Sequence, residues 1–282
     1  MHTRTSRRIC WSMALGVLLA LPVVAAAATT PTITGGVDLF STSLGTAADF
    51  ASNPLPADFF CTGSSAFSGS IPLTGVPLTT SPAGVAGSAD TIVERLANGV
   101  FSSSGTATIP VILRALKLRG SSTLSVFCPG VGNTDWQVDA CLCGTQTRTS
   151  ITATIDPTCG TCGTFDGLLS VNACLRFTQV GTSHTAGPVS QTLTLAIKSM
   201  PWCYQAGARE TVIANSFVVD TNCDGIADLK LPGTSNFHPG WSCSNVGQDC
   251  FALFGSLTHC HENYGHPDEH LHCVNPVCGP RD

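Results

Sequence analysis

Five histidines fall within a short stretch near the carboxyl end: His259, His261, His266, His270 and His272. They include two H-x-H pairs, His259-Cys260-His261 and His270-Leu271-His272, with Gly265 and Pro267 between them. On a strand, residues i and i+2 share a face. A hairpin with His261 opposite His270 and His259 opposite His272 therefore projects four imidazoles from one side. Neutral imidazole is a ligand for zinc, copper(II) and nickel(II), so the spacing predicts a transition-metal site holding zinc or copper. His266, Asp268 and Glu269 in the turn are extra ligands or hydrogen-bond partners for such a site. The competing reading is a solvated polar hairpin with no ion. H-E-x-x-H is not present, because His261 and His266 are one residue too far apart and Gly265 and Pro267 oppose the helix it needs. Catalytic zinc also requires an open position and a base; Glu262 or Glu269 would be that base, but nothing in the sequence demands it.

A second cluster precedes it. Asp220-Thr221-Asn222-Cys223-Asp224-Gly225-Ile226-Ala227-Asp228 reads D-x-N-x-D-G-x-x-D. Calcium takes oxygen ligands at flexible distances, and the side chains of Asp220, Asn222, Asp224 and Asp228 with the Ile226 carbonyl form such a set. Gly225 permits the sharp turn. The segment resembles the calcium loops of EF-hands, dockerins and thrombospondin type-3 repeats, and the resemblance implies a calcium cofactor. It departs from an EF-hand at Leu231, where a bidentate Glu belongs, and at Phe217-Val218-Val219, which reads as strand. The site is therefore expected to be weak and structural, the alternative being an Asx-rich turn without an ion.

The elements around these clusters read as mainly β: an antiparallel β-sandwich or barrel-like domain over residues 29–200, followed by a disulfide-rich Cys/His appendage over 201–282. Alternation marks four strands, at Trp136–Leu142, Ile151–Ile155, Ala173–Phe177 and Leu193–Ile197. Turn clusters such as Pro129-Gly130-Val131-Gly132-Asn133 separate them. Val111–Leu118 fits helix and strand equally. Asp90–Leu96 reads as a short helix capped by Asp90, or as a short strand. Trp136, Trp202 and Trp241 sit near cysteines or apolar strands, which predicts burial rather than sugar stacking.

Composition sets the compartment. Of 282 residues only 11% are charged, while 15 are cysteine. Arg4, Arg7 and Arg8 precede an apolar stretch from Ile9 to Ala28 that ends in small residues, which reads as a signal peptide over 1–28. Its removal takes Cys10 and leaves 14 cysteines, an even number that predicts a disulfide framework in an exported chain. Cys141-Leu142-Cys143 and Cys159-Gly160-Thr161-Cys162 are then structural rather than redox-active or zinc-binding. The remaining chain carries ten Lys/Arg against 18 Asp/Glu, a net charge of −8. Such a chain is unsuited to nucleic acid or an anionic membrane.

Gly35-Gly36-Val37-Asp38-Leu39-Phe40, Pro54-Leu55-Pro56-Ala57-Asp58-Phe59-Phe60 and Asp90-Thr91-Ile92-Val93-Glu94-Arg95 resemble a pattern in uncharacterised secreted bacterial proteins. That resemblance implies export and no activity. No G-x-S-x-G elbow or P-loop occurs. The expected function is that of a secreted, extracellular or periplasmic surface, matrix or binding protein, its partner a cell-surface polymer, a polysaccharide or a second copy. The alternative is a secreted zinc- or copper-dependent hydrolase or oxidase that uses the histidine hairpin.

Overall fold

The computed structural model describes residues 32–42, 46–158, 162–204 and 215–233, and beyond them six short strands. Strands make up 60% of the structure, and no helix occurs among the described residues. The chain opens with β1 (Thr32–Ile33), β2 (Gly36–Thr42), β3 (Thr46–Asp49), β4 (Ser70–Gly75), β5 (Thr80–Ser81), β6 (Thr91–Arg95) and β7 (Gly99–Val100). The long strands follow: β8 (Thr106–Gly120), β9 (Leu124–Cys128), β10 (Gly132–Leu142), β11 (Thr149–Ile155), β12 (Cys162–Gln179) and β13 (Thr185–Tyr204). After them come β14 (Phe217–Val219), β15 (Leu229–Leu231), β16 (Phe237–Pro239), β17 (Trp241–Cys243), β18 (Cys250–Ala252), β19 (Leu257–Thr258), β20 (Leu271–Val274) and β21 (Val277–Pro280).

All named pairings are antiparallel. The main sheet runs β16-β13-β12-β10-β8-β6-β2-β19. β11 bridges β8 and β12 below β10, and β4 carries β3 on the far edge of β8. The stretch of β13 before its pairing with β16 approaches β3, where Gln191 Nε2 on β13 donates to the Asp49 carbonyl on β3. The sheet thus curls toward a barrel around one large core.

Period-two alternation builds that core. β10 sends Trp136, Val138 and Ala140 inward, and β12 sends Leu169, Val171, Ala173, Leu175 and Phe177. Fully burying one such side chain contributes about 1.5–3 kcal/mol. The indole nitrogens remain satisfied: Trp136 Nε1 donates to Thr134 Oγ1 at 3.0 Å and Trp202 Nε1 to the Thr164 carbonyl at 3.0 Å. Both indoles are buried, as their setting predicted.

Val111–Leu118 is strand throughout, and the reason for its ambiguous pattern is a β-bulge. Ile92 pairs with Ala115 but Val93 pairs with Leu113, so Arg114 is the extra residue. Ile109, Val111 and Leu113 therefore face the same core as Leu116 and Leu118, although their parities differ. Asp90–Leu96 takes the strand alternative, forming β6.

A second, smaller core lies on the other face of β2, β6 and β8. Val37, Leu39, Ile92 and Ala115 meet Phe217, Val219 and Leu231 there. β14 pairs with β15 and with β5, so residues 217–231 form a strap over this face. The compositional change near residue 200 falls inside β13, and the strap belongs to the packing of the preceding strands. No described helix is long and apolar enough to cross a membrane.

Candidate functional site

The loop that joins the two strap strands holds Asp220, Asn222, Asp224, Ile226 and Asp228. Asp220 directly follows β14, is 2% exposed, and closes the loop from within. Its Oδ1 accepts from the Cys223 N–H at 2.7 Å and the Asn222 N–H at 3.2 Å, and its Oδ2 from the Gly225 N–H at 2.9 Å. Gly225 takes φ +91°, the conformation its place in the motif requires. The next residues repeat the device: Asn222 Oδ1 accepts from the Asp224 N–H at 2.8 Å, and Asp224 Oδ1 from the Ile226 N–H at 2.8 Å. Asp228 accepts from Thr221 Oγ1 at 3.0 Å.

The donor chemistry suits calcium, but these oxygens are engaged by the loop's own N–H groups. Among the described residues, no three His, Cys, Asp or Glu side chains gather to hold an ion. Asp224 Oδ2 also accepts from Asn222 Nδ2 at 3.2 Å.

His259, His261, His266 and His270 lie outside the described residues. His272 lies on β20, whose backbone pairs with β21 so that His272 stands opposite Gly279.

Four cysteines meet on the outer face of the main sheet. Cys141 is joined to Cys223 and Cys143 to Cys174; a third bridge, Cys61–Cys128, ties the Phe59–Phe60 loop to β9. Cys162 is disulfide-bonded as well. In register, Cys141 on β10 stands opposite Lys117 on β8 and opposite Cys174 on β12, and Cys174 stands opposite Ser190 on β13. Ser190 Oγ lies 3.4 Å from Cys143 Sγ and 3.9 Å from Cys174 Sγ. The same C-x-C unit thus sends one sulfur to the strap and the other along the sheet.

Two buried carboxylates, Asp38 and Asp90, lie outside the candidate sites read from the sequence, where Asp90 reads only as a helix cap. Asp38 accepts from Arg95 Nε at 2.7 Å and Nη2 at 3.0 Å, with Arg95 also donating to the Thr34 carbonyl. Burial pushes the Asp38 carboxyl up from its ordinary value, and the Arg95 charge pulls against it. Asp90 accepts from the Thr42 N–H at 2.7 Å, Thr42 Oγ1 at 2.6 Å and Thr91 Oγ1 at 2.6 Å. Burial raises its pKa to about 6, against the lowering effect of those donors. The available signal was an Asp inside the apolar run Val37-Asp38-Leu39-Phe40.

Fold and crosslinks define a disulfide-bonded, all-antiparallel β protein. No family model, curated protein or solved structure matches the chain.

Proposed function

We propose that the chain is an exported, disulfide-clamped β module that acts by binding or assembly, at a cell surface or in a matrix. The observation that carries this reading is the set of disulfides, among which three join positions 67, 82 and 31 residues apart. Disulfides persist in oxidising compartments, and long-range ones restrict the unfolded chain most. Calcium at the Asp220–Asp228 loop and zinc or copper at the histidine segment belong to this proposal as structural ligands. The first is supported by donor chemistry and loop closure, the second by histidine spacing alone. The partner is a surface polymer, a polysaccharide or a second copy of the chain.

The test is fractionation of the producing cells, followed by alkylation of the protein with and without reduction. The expected result is a chain outside the cytoplasm that lacks the first 28 residues and has few reactive thiols. A cytoplasmic chain with most of its cysteines free would overturn the proposal. Retention on insoluble polysaccharide and the sedimentation mass then separate a polymer ligand from self-association.

A further inference from the structure

The outer-face cysteines carry more than a static clamp. We infer that they form a disulfide relay, in which reduction of the half-exposed Cys143–Cys174 bridge is passed to the Cys141–Cys223 bridge and frees the strap. Three observations support it. Cys141 and Cys174 are direct cross-strand partners, although neither is bonded to the other. Opposed residues of an antiparallel pair have Cα atoms about 4.5–5.5 Å apart, inside the span that a disulfide tolerates. Cys141 is 7% exposed, whereas Cys143, Cys174 and Cys223 are half-buried, so a soluble reductant reaches both sulfurs of the Cys143–Cys174 bridge but only the Cys223 sulfur of the other.

The chemistry needs a reductant of one class, a low-molecular-weight dithiol. One of its thiolates attacks Cys143 Sγ, the Cys143–Cys174 bond breaks, and Cys174 leaves as a thiolate. The second thiol of the reductant resolves the mixed disulfide, giving a cyclic disulfide and the Cys143 thiol. The Cys174 thiolate then attacks Cys141 Sγ across the ladder. A Cys141–Cys174 bond forms, the Cys141–Cys223 bond breaks, and Cys223 leaves as a thiolate that takes a proton from water. Two electrons and two protons leave the dithiol; the protons end on Cys143 and Cys223. One bridge is lost in total, yet the residue set free is in the strap rather than in the sheet.

The consequence is specific to this topology. Cys223 lies in the loop between β14 and β15, and the Cys141–Cys223 bridge ties the strap to the main sheet. Without it, Phe217, Val219 and Leu231 are held over the smaller core by packing and by short strand pairings alone. An exposed redox event thereby loosens an element that lies over another part of the sheet.

The experiment is a dithiothreitol titration of the oxidised full chain, quenched with iodoacetamide and mapped by mass spectrometry without further reduction. At the loss of one bridge, the expected labels fall on Cys143 and Cys223, with a Cys141–Cys174 crosslink. Labels on Cys143 and Cys174 with Cys141–Cys223 intact would overturn the relay. So would a Cys141–Cys174 bond present before any reductant is added. The Cys143→Ser variant gives an independent reading without reductant, since Cys174 then has no partner: Cys223 is expected as its free thiol, and labelling of Cys174 instead counts against the relay.

Discussion

Arg95 grips Asp38 with two nitrogens at 2.7 and 3.0 Å inside the strand pair β2–β6, and the side chains are 0% and 3% exposed. Neither partner reaches solvent, so the pair must be complete to be tolerated. Burying two ions is costly, and their attraction repays the cost only while both are present.

Arg95→Ala is therefore expected to destabilise the protein by about 3–5 kcal/mol, because it leaves a buried carboxylate without its counter-charge. The double change Asp38→Leu with Arg95→Met removes both charges and is expected to recover most of that loss. Denaturant midpoints of the single and double variants check it. A double variant as unstable as the single one would show that the pair contributes something other than charge compensation.

Asp90 predicts how stability varies with acidity. Its folded pKa is raised to about 6 from 3.8, so between those values the folded chain holds a proton that the unfolded chain has released. Stability is then greatest below the lower value and falls as pH rises through the upper one. A shift of that size corresponds to a loss on the order of 3 kcal/mol across the window. Asp38 shifts in the same direction. The difference in unfolding free energy between the wild type and Asp90→Asn, measured from pH 4 to pH 7, isolates the Asp90 share. Equal pH slopes for the two proteins would contradict this account.

Gly75 is bound up with the same carboxylate. A Cβ there would stand 1.6 Å from Asp90 Oδ2, so Gly75→Ala has to push the carboxylate off its threonine donors. The expected cost is about 1–3 kcal/mol, with a fall in thermal midpoint. A variant with the wild-type midpoint would show that Asp90 relocates freely.

Calcium at the Asp220–Asp228 loop is expected to bind weakly, at about 10⁻⁴–10⁻³ M, because Leu231 stands where a bidentate Glu would complete the ligand set. Ten times that concentration is then expected to add roughly 1.4 kcal/mol of stability. Thermal unfolding with and without chelator reads this directly, and Asp224→Ala removes the effect. If calcium leaves the midpoint unchanged, the loop is a self-bonded turn.

Zinc or copper is expected to bind in stoichiometric amount after dialysis and to be lost in a variant carrying His259→Ala and His270→Ala. Elemental analysis of both proteins decides it. Metal retained in full by the variant would remove the histidine segment from the proposal. Hydrolase or oxidase activity that depends on these residues would favour the enzyme alternative.

Local pattern was enough wherever a strand keeps one parity from end to end. Trp136–Ala140 and Ala173–Phe177 alternate without interruption, and both are buried on the predicted side. It left Val111–Leu118 open between helix and strand, because the extra residue Arg114 inverts parity midway and the bulge is set by pairing with β6. The same limit applies to Asp90. A carboxylate before an apolar run looks like a helix cap, and only the arrival of Thr42 from β2 turns it into a buried acceptor.

The sequence by itself determined that the chain is β-rich, crosslinked and turn-dense, and that Asp220–Asp228 closes as a loop around Gly225. Those properties follow from side-chain alternation, cysteine number and backbone freedom, each of which is encoded within a few residues. The tertiary structure decided which sulfurs bond, that residues 217–231 strap onto the main sheet, and that Cys141 faces Cys174 without bonding to it. Such contacts join residues tens of positions apart. Their geometry is created by strand order and register, which no short stretch of sequence contains.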